Sequence, residues 1–402
     1  MIVSPHAKAE YPASRVWPGL NSLHLLAAGV IAMRMNAAVL WEFNAEWSVE
    51  DVHLDGPQDG EVLVSFEAAG LCHSDHHVRT GDLPVPLPIV GGHEGAGIVQ
   101  EVGPGVRDVK AGDHVVASFL PACGRCRWCA SGHQNLCDQG AMLLAGTQLD
   151  GTYRRRSRDR DVGAACFLGT FAQYGTVPDS SIVKIDDDIP LARACLLGCG
   201  VTTGWGSAVN TAKVSPGDTV VVIGCGGIGS GAIQGARLAG AEKIVVVDIA
   251  DSKRDKAFVF GATHFCTSMA EATALVGDLT HGVMADSAVL TVGVAEGHMI
   301  GEALDIVRKG GAVVLTALAS ITDVTANLPM AMFTLFQKRL LGSLYGEANP
   351  RADIHRLLSL YREGKLLLDE TVTAEYKLND INEAYDDMLA GRNIRGVIIH
   401  DH

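Results

Sequence analysis

The chain predicts an α/β protein of two domains, a strand-rich one and a doubly wound parallel sheet. Three observations carry this. At 402 residues the chain is longer than one small core absorbs. Between residue 35 and about residue 120, short apolar runs are bounded by Gly, Pro and Asp, with no helical period. From about residue 200 the pattern becomes strand, Gly-rich turn, helix, strand. A hydrophobic content of 48% and 46 glycines suit a globular chain. A net charge of −14 argues against nucleic acid or an anionic membrane as partner. No apolar run reaches the ~18 residues of a spanning helix.

Residues 1–34 read as an extension outside the fold. The apolar stretch Leu23 to Met33, with Lys8 and Arg15 before it, has the outline of an export signal, but Glu10, His24 and prolines interrupt it. A start assigned too far upstream accounts for the segment better. The natural protein is then expected to begin at or near Met35, with Ala37 to Trp41 as its first strand. Intact mass of the protein from its native host is expected to match that start, and a terminus at Met1 or Ile2 would overturn it.

Val62–Phe66 and Ile98–Val102 are apolar runs of strand length, and Gly103-Pro104-Gly105 and Ala111-Gly112-Asp113 are turns. Closely spaced strands of this kind build a partly open barrel or sandwich. Cys123, Cys126, Cys129 and Cys137 then follow a C-x2-C-x2-C-x7-C pattern. Four thiolates on one compact loop suit a closed, tetrahedral structural zinc site. An iron–sulfur cluster also takes four cysteines, but its run has different later spacing and a trailing proline, whereas Asp138 follows Cys137. Arg154-Arg155-Arg156 reads as a solvated loop. The remainder of 137–199 reads as loop plus strands that close this domain.

The second unit opens with a buried strand at Asp218–Ile223, then Gly224-Cys225-Gly226-Gly227-Ile228-Gly229, a helix to about Ala239 and a second strand, Lys243–Val247, closed by Asp248. A lone G-x-G-x-x-G is weak. Here it lies between strand and helix, with an acidic residue 24 positions after its first glycine. This is the Rossmann context for a dinucleotide. Gly224 allows the tight turn, Gly226 lets the backbone approach a pyrophosphate, Gly229 lets helix and strand pack, and the helix N-terminus faces the phosphates. Asp248 would accept from the ribose hydroxyls and repel a 2′-phosphate, which favours NAD over NADP. Lys253 either reaches the ribose or is a solvated surface lysine. Val313–Leu318 reads as a late strand of this sheet. Near residue 345 the chain is expected to return to the first unit through helices at Ile354–Glu363 and Ile381–Ala390 and a last strand at Gly396–His400. The domains are therefore expected at 35–199 with 345–402, and at 200–344.

Cys72, His93 and Cys199 stand in short, Gly- and His-rich contexts. Two Cys and one His are the ligand set of a catalytic zinc with one position open, although their spacing alone proves nothing. The clustering of the ten cysteines points to metal rather than disulfides, and to a reducing, cytoplasmic setting. Cys166, Cys195, Cys225 and Cys266 have no partners by spacing and read as small buried hydrophobes.

Together these residues resemble the zinc-dependent medium-chain alcohol dehydrogenases over nearly all of 36–401. Leu40–Asn44, Gly91–Gly97 and Asn393–Ile398 look most like the actinobacterial nicotinoprotein (nitrosodimethylaniline-dependent) branch, whose members keep NAD bound through turnover and reoxidise it with another acceptor. The resemblance implies a GroES-like catalytic domain beside the Rossmann domain, two zinc ions per subunit, and hydride transfer between a primary alcohol or aldehyde and NAD. By position, Glu94 matches the carboxylate behind the catalytic metal and Asp75 the one that orients the ligating histidine. Ser74 matches the hydroxyl beside the reacting oxygen, and His77 the outer end of the proton relay. Thr203 matches a residue near the nicotinamide, Gly227 and Ile228 complete the phosphate loop, Arg395 meets the pyrophosphate, and Phe119 lines the substrate pocket. His73 stands where many members have Arg, which makes it a weaker phosphate clamp. The long 137–199 segment resembles dimeric members more than tetrameric ones. Two other readings stay open: a thiol-dependent formaldehyde dehydrogenase, and a non-catalytic nucleotide-binding protein on the same fold.

Overall fold

The computed structural model describes residues 24–25 and 31–402. The first sheet is built from β1 (His24–Leu25), β2 (Ile31–Leu40), β3 (Ser48–Asp55), the short β5 (Ile89–Val90), β8 (Arg155–Ser157) and β9 (Arg160–Ala164), in the order β1-β2-β3-β8-β9-β5. The second is built from β4 (Glu61–Gly70), β6 (Gly95–Val102), β7 (His114–Ala117), β10 (Tyr174–Pro178) and β11 (Ile182–Ile185), and takes in two strands from the C-terminus. Helix α1 (His73–Thr80) leaves the end of β4, α2 (Arg127–Ala130) is the single turn of the cysteine loop, and α3 (Leu191–Ala194) leads into the Cys199 turn.

From α4 (Gly200–Gly206) onward, strands and helices alternate: β12 (Thr219–Ile223), α5 (Gly227–Ala239), β13 (Lys243–Val247), α6 (Arg254–Phe260), β14 (His264–Cys266), α7 (Met269–Leu279), β15 (Ala285–Leu290), α8 (Gly297–Ile306), β16 (Val307–Leu315), α9 (Met330–Leu335) and β17 (Arg339–Gly342). The six strands are all parallel, in the order β14-β13-β12-β15-β16-β17. Strand order reverses between β12 and β15, and in such sheets the crevice at the strand C-termini there receives the ligand. Strand β12 is buried at every position and reads as an unbroken apolar run, because helices cover both faces. Then α10 (Pro350–Arg362), β18 (Val372–Lys377), α11 (Ile381–Leu389) and β19 (Arg395–Ile399) return to the second sheet, where β19 pairs antiparallel with β4. One buried cluster joins the two units, packing Val201 and Trp205 of α4 on Leu196, Ile354 and Val397.

Two expectations need correction. Strand β2 begins at Ile31, so residues 31–34 belong to the sheet; Arg34 pairs with His53, and β1 pairs with Ala32 and Ile31. The strand runs on because Met33, Met35 and Ala37 alternate into the core while Arg34 and Asn36 face out. Met35, the expected start, falls within β2, and apart from His24 and Leu25 the rest of the expected extension lies outside the described residues. The arginine run is not a solvated loop. Arg154 forks onto Glu61 and also pairs with Asp150, Arg155 is 1% exposed, and only Arg156 faces solvent, 57% exposed. Pairing of β8 with β3 and β9 sends alternate side chains inward, charged or not.

Just past β19, His400 is buried, with Nε2 2.9 Å from Thr170 O and Nδ1 without a partner. Burial pushes this imidazole down to about 4. Above pH 6.5 it is neutral whether folded or unfolded and contributes nothing to the pH dependence. On acidification the unfolded chain takes its proton near 6.5 and the folded chain only near 4. Stability therefore falls across that window, by up to about 3 kcal/mol at ~1.4 kcal/mol per pKa unit. Denaturant titrations between pH 7 and pH 4 are expected to show this acid limb, and His400→Gln to flatten it; an equal slope in both would refute the assignment.

Candidate active site

The site forms where β4, β6 and the Cys199 turn converge on the C-terminal end of the parallel sheet. Cys72 is the residue before α1, His93 and Glu94 precede β6, and Cys199 lies between α3 and α4. Sequence separations of up to 127 positions collapse to one point: ligand atoms of Cys72, His93, Glu94 and Cys199 all lie within 4.8 Å of one another, and all four residues are buried. His93 Nδ1 is 2.9 Å from Asp75 Oδ2, which leaves Nε2 for the two sulfurs. Asp75 Oδ1 in turn accepts from Gly92 N–H at 2.9 Å, so the carboxylate is fixed by the segment that carries the histidine.

Burial works against a charged His93, but the Asp75 carboxylate and the Cys72 and Cys199 sulfurs outweigh it and raise its affinity for a proton. Cys72 is held well below the ordinary thiol range because the Cys199 thiol donates to it, with the His93 and Arg395 charges adding to that effect. A thiolate, a thiol and an imidazole crowded in a dry pocket are what a cation would relieve. Glu94 supports the same fit. Its Oε2 is bound by Arg395 Nη2, while Oε1 is buried with no partner. Burial pushes the Glu94 carboxyl up to about 7, against the pull of Arg395.

Glu94 and Arg395 form a buried ion pair between the start of β6 and the start of β19. Arg395 packs against the N-terminal turn of α5: a Cβ on Gly227 would stand 2.2 Å from Arg395 Cδ. Gly229 has a similar constraint, since a Cβ there would stand 2.0 Å from Gly224 O. At Gly226 a Cβ would meet nothing within 4 Å, so the turn presents open space to the crevice where a diphosphate fits. Asp248, at the end of β13, accepts from Cys225 N–H at 2.7 Å and Ala250 N–H at 2.9 Å, with Lys253 Nζ 3.1 Å away. Lys253 is thus an ion-pair partner of Asp248 rather than a solvated lysine. Gly224, Gly226, Gly227, Ile228, Asp248, Lys253 and Thr203 line one cavity of about 1190 Å³ with Cys72, His93 and Cys199.

The remaining predicted residues gather at the ligand end. Ser74 Oγ lies 3.6 Å from Cys72 Sγ, and Thr203 donates to Cys199 O at 2.8 Å. The Phe119 ring meets His93 edge-on at 5.7 Å and Tyr345 at 5.2 Å. His73 lines the cavity, packed against Gly293, and burial lowers its pKa, with the His77 charge adding to this. His77 is 1% exposed, so it is not itself at the surface. Both its ring nitrogens face acceptors: Nδ1 is 3.1 Å from Asp82 Oδ2, and Nε2 is 3.0 Å from Gly293 O across the crevice. Asp82 is 35% exposed, and its own carbonyl accepts from Ile321 N–H on the far side. Sequence reasoning missed Asp82, and the Gly81–Asp82 turn closing α1 was the available signal. It also missed the cavity-lining role of Cys166, read as a packing residue; its backbone is left-handed, φ 50° and ψ 40°.

Cys123, Cys126, Cys129 and Cys137 form a second cluster within 4.8 Å, with sulfur pairs at 3.9 and 4.0 Å and no disulfide. A tetrahedron with Zn–S of about 2.3 Å has edges of about 3.8 Å. Backbone N–H groups of Cys123, Cys126 and Cys129 point at three of the sulfurs from 3.4 to 3.5 Å, and the Cys129 amide leads in pulling Cys126 down to about 6.

A strand-rich unit that brings two cysteines and a histidine to the mouth of a dinucleotide crevice defines a metal-dependent, nicotinamide-linked oxidoreductase. Two family profiles match the chain, the alcohol dehydrogenase GroES-like domain over residues 58–187 and the zinc-binding dehydrogenase over 227–363. An NDMA-dependent alcohol dehydrogenase of Amycolatopsis methanolica is 50% identical over 368 residues, covering 92% of this chain and 99% of that one. Alcohol dehydrogenase B of Mycobacterium tuberculosis is 50% identical over 368 residues, covering 91% and 98%. Among solved structures, an alcohol dehydrogenase zinc-binding domain protein of Burkholderia ambifaria superposes with a TM-score of 0.87 at 32% identity, covering 92% of this chain and all of that one. The chain belongs to the zinc-binding medium-chain alcohol dehydrogenases and is an oxidoreductase.

Removing Arg395 would leave Glu94 in a dry pocket without its counter-charge. Arg395→Met is expected to cost about 3–5 kcal/mol of stability, read as a drop in denaturant midpoint, whereas Glu94→Gln with Arg395→Met together should cost less than the single change. A single change within 1 kcal/mol of the parent would show that the pair is not buried as described.

Proposed function

We propose that the chain oxidises primary alcohols to aldehydes, and reduces them back, with NAD held tightly in the crevice and reoxidised by an acceptor other than free NAD. The observation that carries the reading is the convergence of Cys72, His93 and Cys199 with the Gly-rich turn on one cavity. An ion held by these three residues supplies Lewis acidity to an alcohol oxygen, and a nicotinamide supplies the hydride acceptor. The protein's own residues do the rest. Asp75 fixes the His93 ring, and Glu94 with Arg395 supports the ligands from behind. Ser74 Oγ takes the substrate hydroxyl's proton as it gives up its own, that proton passes to His77 at Nε2, and His77 releases its Nδ1 proton to Asp82, which reaches solvent. Phe119, Leu83 and Leu143 wall the reaction end against water.

The four-cysteine loop holds a second, structural zinc, giving two per subunit. Gly224, Gly226, Gly227, Ile228 and Gly229 cradle the pyrophosphate, Arg395 and His73 approach it from the catalytic unit, Asp248 and Lys253 take the adenosine ribose, and Thr203 packs on the nicotinamide. On this reading the catalytic unit spans residues 31–199 and 345–402 and the coenzyme unit 200–344. The carboxylate of Asp248 favours NAD over NADP, and the NDMA-dependent relative supports retention of the cofactor. The apolar reaction end favours a simple alcohol over a thiol adduct of formaldehyde. Reduced ligand thiols suit a cytoplasmic protein, and no helix among the described residues is long and apolar enough to cross a membrane. It is a homo-oligomer: among the described residues β17 is an open sheet edge, and Met330 and Leu335, just before it in the chain, are exposed, while the long 137–199 segment favours a dimer over a tetramer.

A single turnover tests the core of this. Purified protein mixed with a primary alcohol and no added nicotinamide should develop the reduced-nicotinamide band in proportion to protein, and keep it. A band that needs added NAD would replace resident cofactor with a dissociable one. No band under either condition would overturn the primary-alcohol reading.

A further inference from the structure

Arg155 is the largest fully buried side chain among the described residues, and no carboxylate pairs with it. The acid whose charge acts on it, Glu61, has both oxygens taken by Arg154. Burial pushes the Arg155 guanidinium down to about 10, which leaves it charged at neutral pH. Its one hydrogen bond runs from Nη2 to Leu168 O at 2.8 Å, and Nε has no partner. A buried cation held by a single carbonyl is costly to keep, so what that carbonyl does becomes the question.

Leu168 ends a short turn that forms part of the cavity wall. Ala165 and Cys166 line the cavity, and the charges of His93, Asp75 and Cys72 reach the Cys166 thiol, which places it at the ligand end. Cys166 and Phe167 are both left-handed, with φ of 50° and 66°, a conformation that non-glycine residues adopt only where their surroundings impose it. Two buried side chains outside the cavity supply that constraint. Gln148 Nε2 donates to Phe167 O at 2.9 Å, and Arg155 Nη2 donates to Leu168 O. Immediately downstream, Thr170 N–H donates to Gly92 O and the Thr170 hydroxyl to Glu94 O, both at 3.0 Å, so the same segment is tied to the residues that flank His93.

We propose that Arg155, with Gln148 beside it, is a positioning residue for substrate selection. Its hydrogen bond holds the left-handed turn and so sets how far the Ala165–Cys166 wall stands from the reacting carbon. The inference rests on the primary-alcohol reading. Loosening the turn lets the wall retreat, and discrimination should move toward bulkier alcohols.

The test compares kcat/KM for benzyl alcohol and for ethanol in the parent enzyme, Arg155→Met, Arg155→Lys and Gln148→Leu, each as the metal-loaded full chain. Arg155→Met should raise the benzyl-to-ethanol ratio at least threefold, through KM, with kcat for ethanol within twofold of the parent. Arg155→Lys should return part of that change, and combining Arg155→Met with Cys166→Ala should give less than the product of the separate effects. A lowered melting temperature with a ratio within threefold of the parent, or moved toward ethanol, overturns the proposal and makes Arg155 a packing residue only. Should Arg155→Met not fold, Gln148→Leu carries the same expectation and the same refutation. A parent enzyme that turns over neither alcohol would sink the primary-alcohol reading itself, which is a different failure.

Discussion

The buried pair of Glu94 and Arg395 ties the molecule together. It joins the segment that carries His93 to the last strand of the chain, and its arginine lies against the first turn of α5. Two charges out of water are tolerated only when each answers the other with good geometry. Backbone pairing of β19 with β4 places the pair, and Arg395 then reaches the Gly-rich turn. It also explains why Gly227 has no side chain: the space a Cβ would fill holds the Arg395 stem.

Around this pair, the site separates ligand-holding from access. The ligands sit on the start of a helix, the start of a strand and a tight turn, elements whose backbone is fixed by sheet pairing. Access is controlled by groups that bridge the crevice, namely His77 to Gly293 O and Asp82 O to Ile321 N–H. These contacts reach between the strand-rich part and the parallel sheet, so the closeness of the two walls and, on the proposed mechanism, the path of a proton from His77 depend on the same few hydrogen bonds.

The fold was largely legible in the sequence because its signals are local. The G-x-G-x-x-G turn lies between an apolar run and a helix, and α5 and β13 fall where the pattern placed them. The cysteine spacing marks one loop for the same reason. The site was legible in composition but not in geometry. Cys72, His93 and Cys199 could be named, but only sheet pairing shows that they meet. The arginine run was misread because charge alone suggests solvent, whereas strand alternation turns Arg155 inward. Sequence reasoning puts His77 at the end of a relay, and nothing in its neighbours along the chain shows that it is covered or that it pairs with Asp82.

What the sequence by itself determined is the set of local structures and donor types: apolar runs, turn glycines, and soft ligands in recognisable contexts, each set by interactions within a few residues. What only the tertiary structure decided is which of these face one another. Glu94 meets Arg395 across 301 positions, and Arg155 meets the carbonyl of Leu168 while its own neighbours pair elsewhere. Such pairings depend on desolvation and on strand register, and both are properties of the packed chain rather than of any stretch of it.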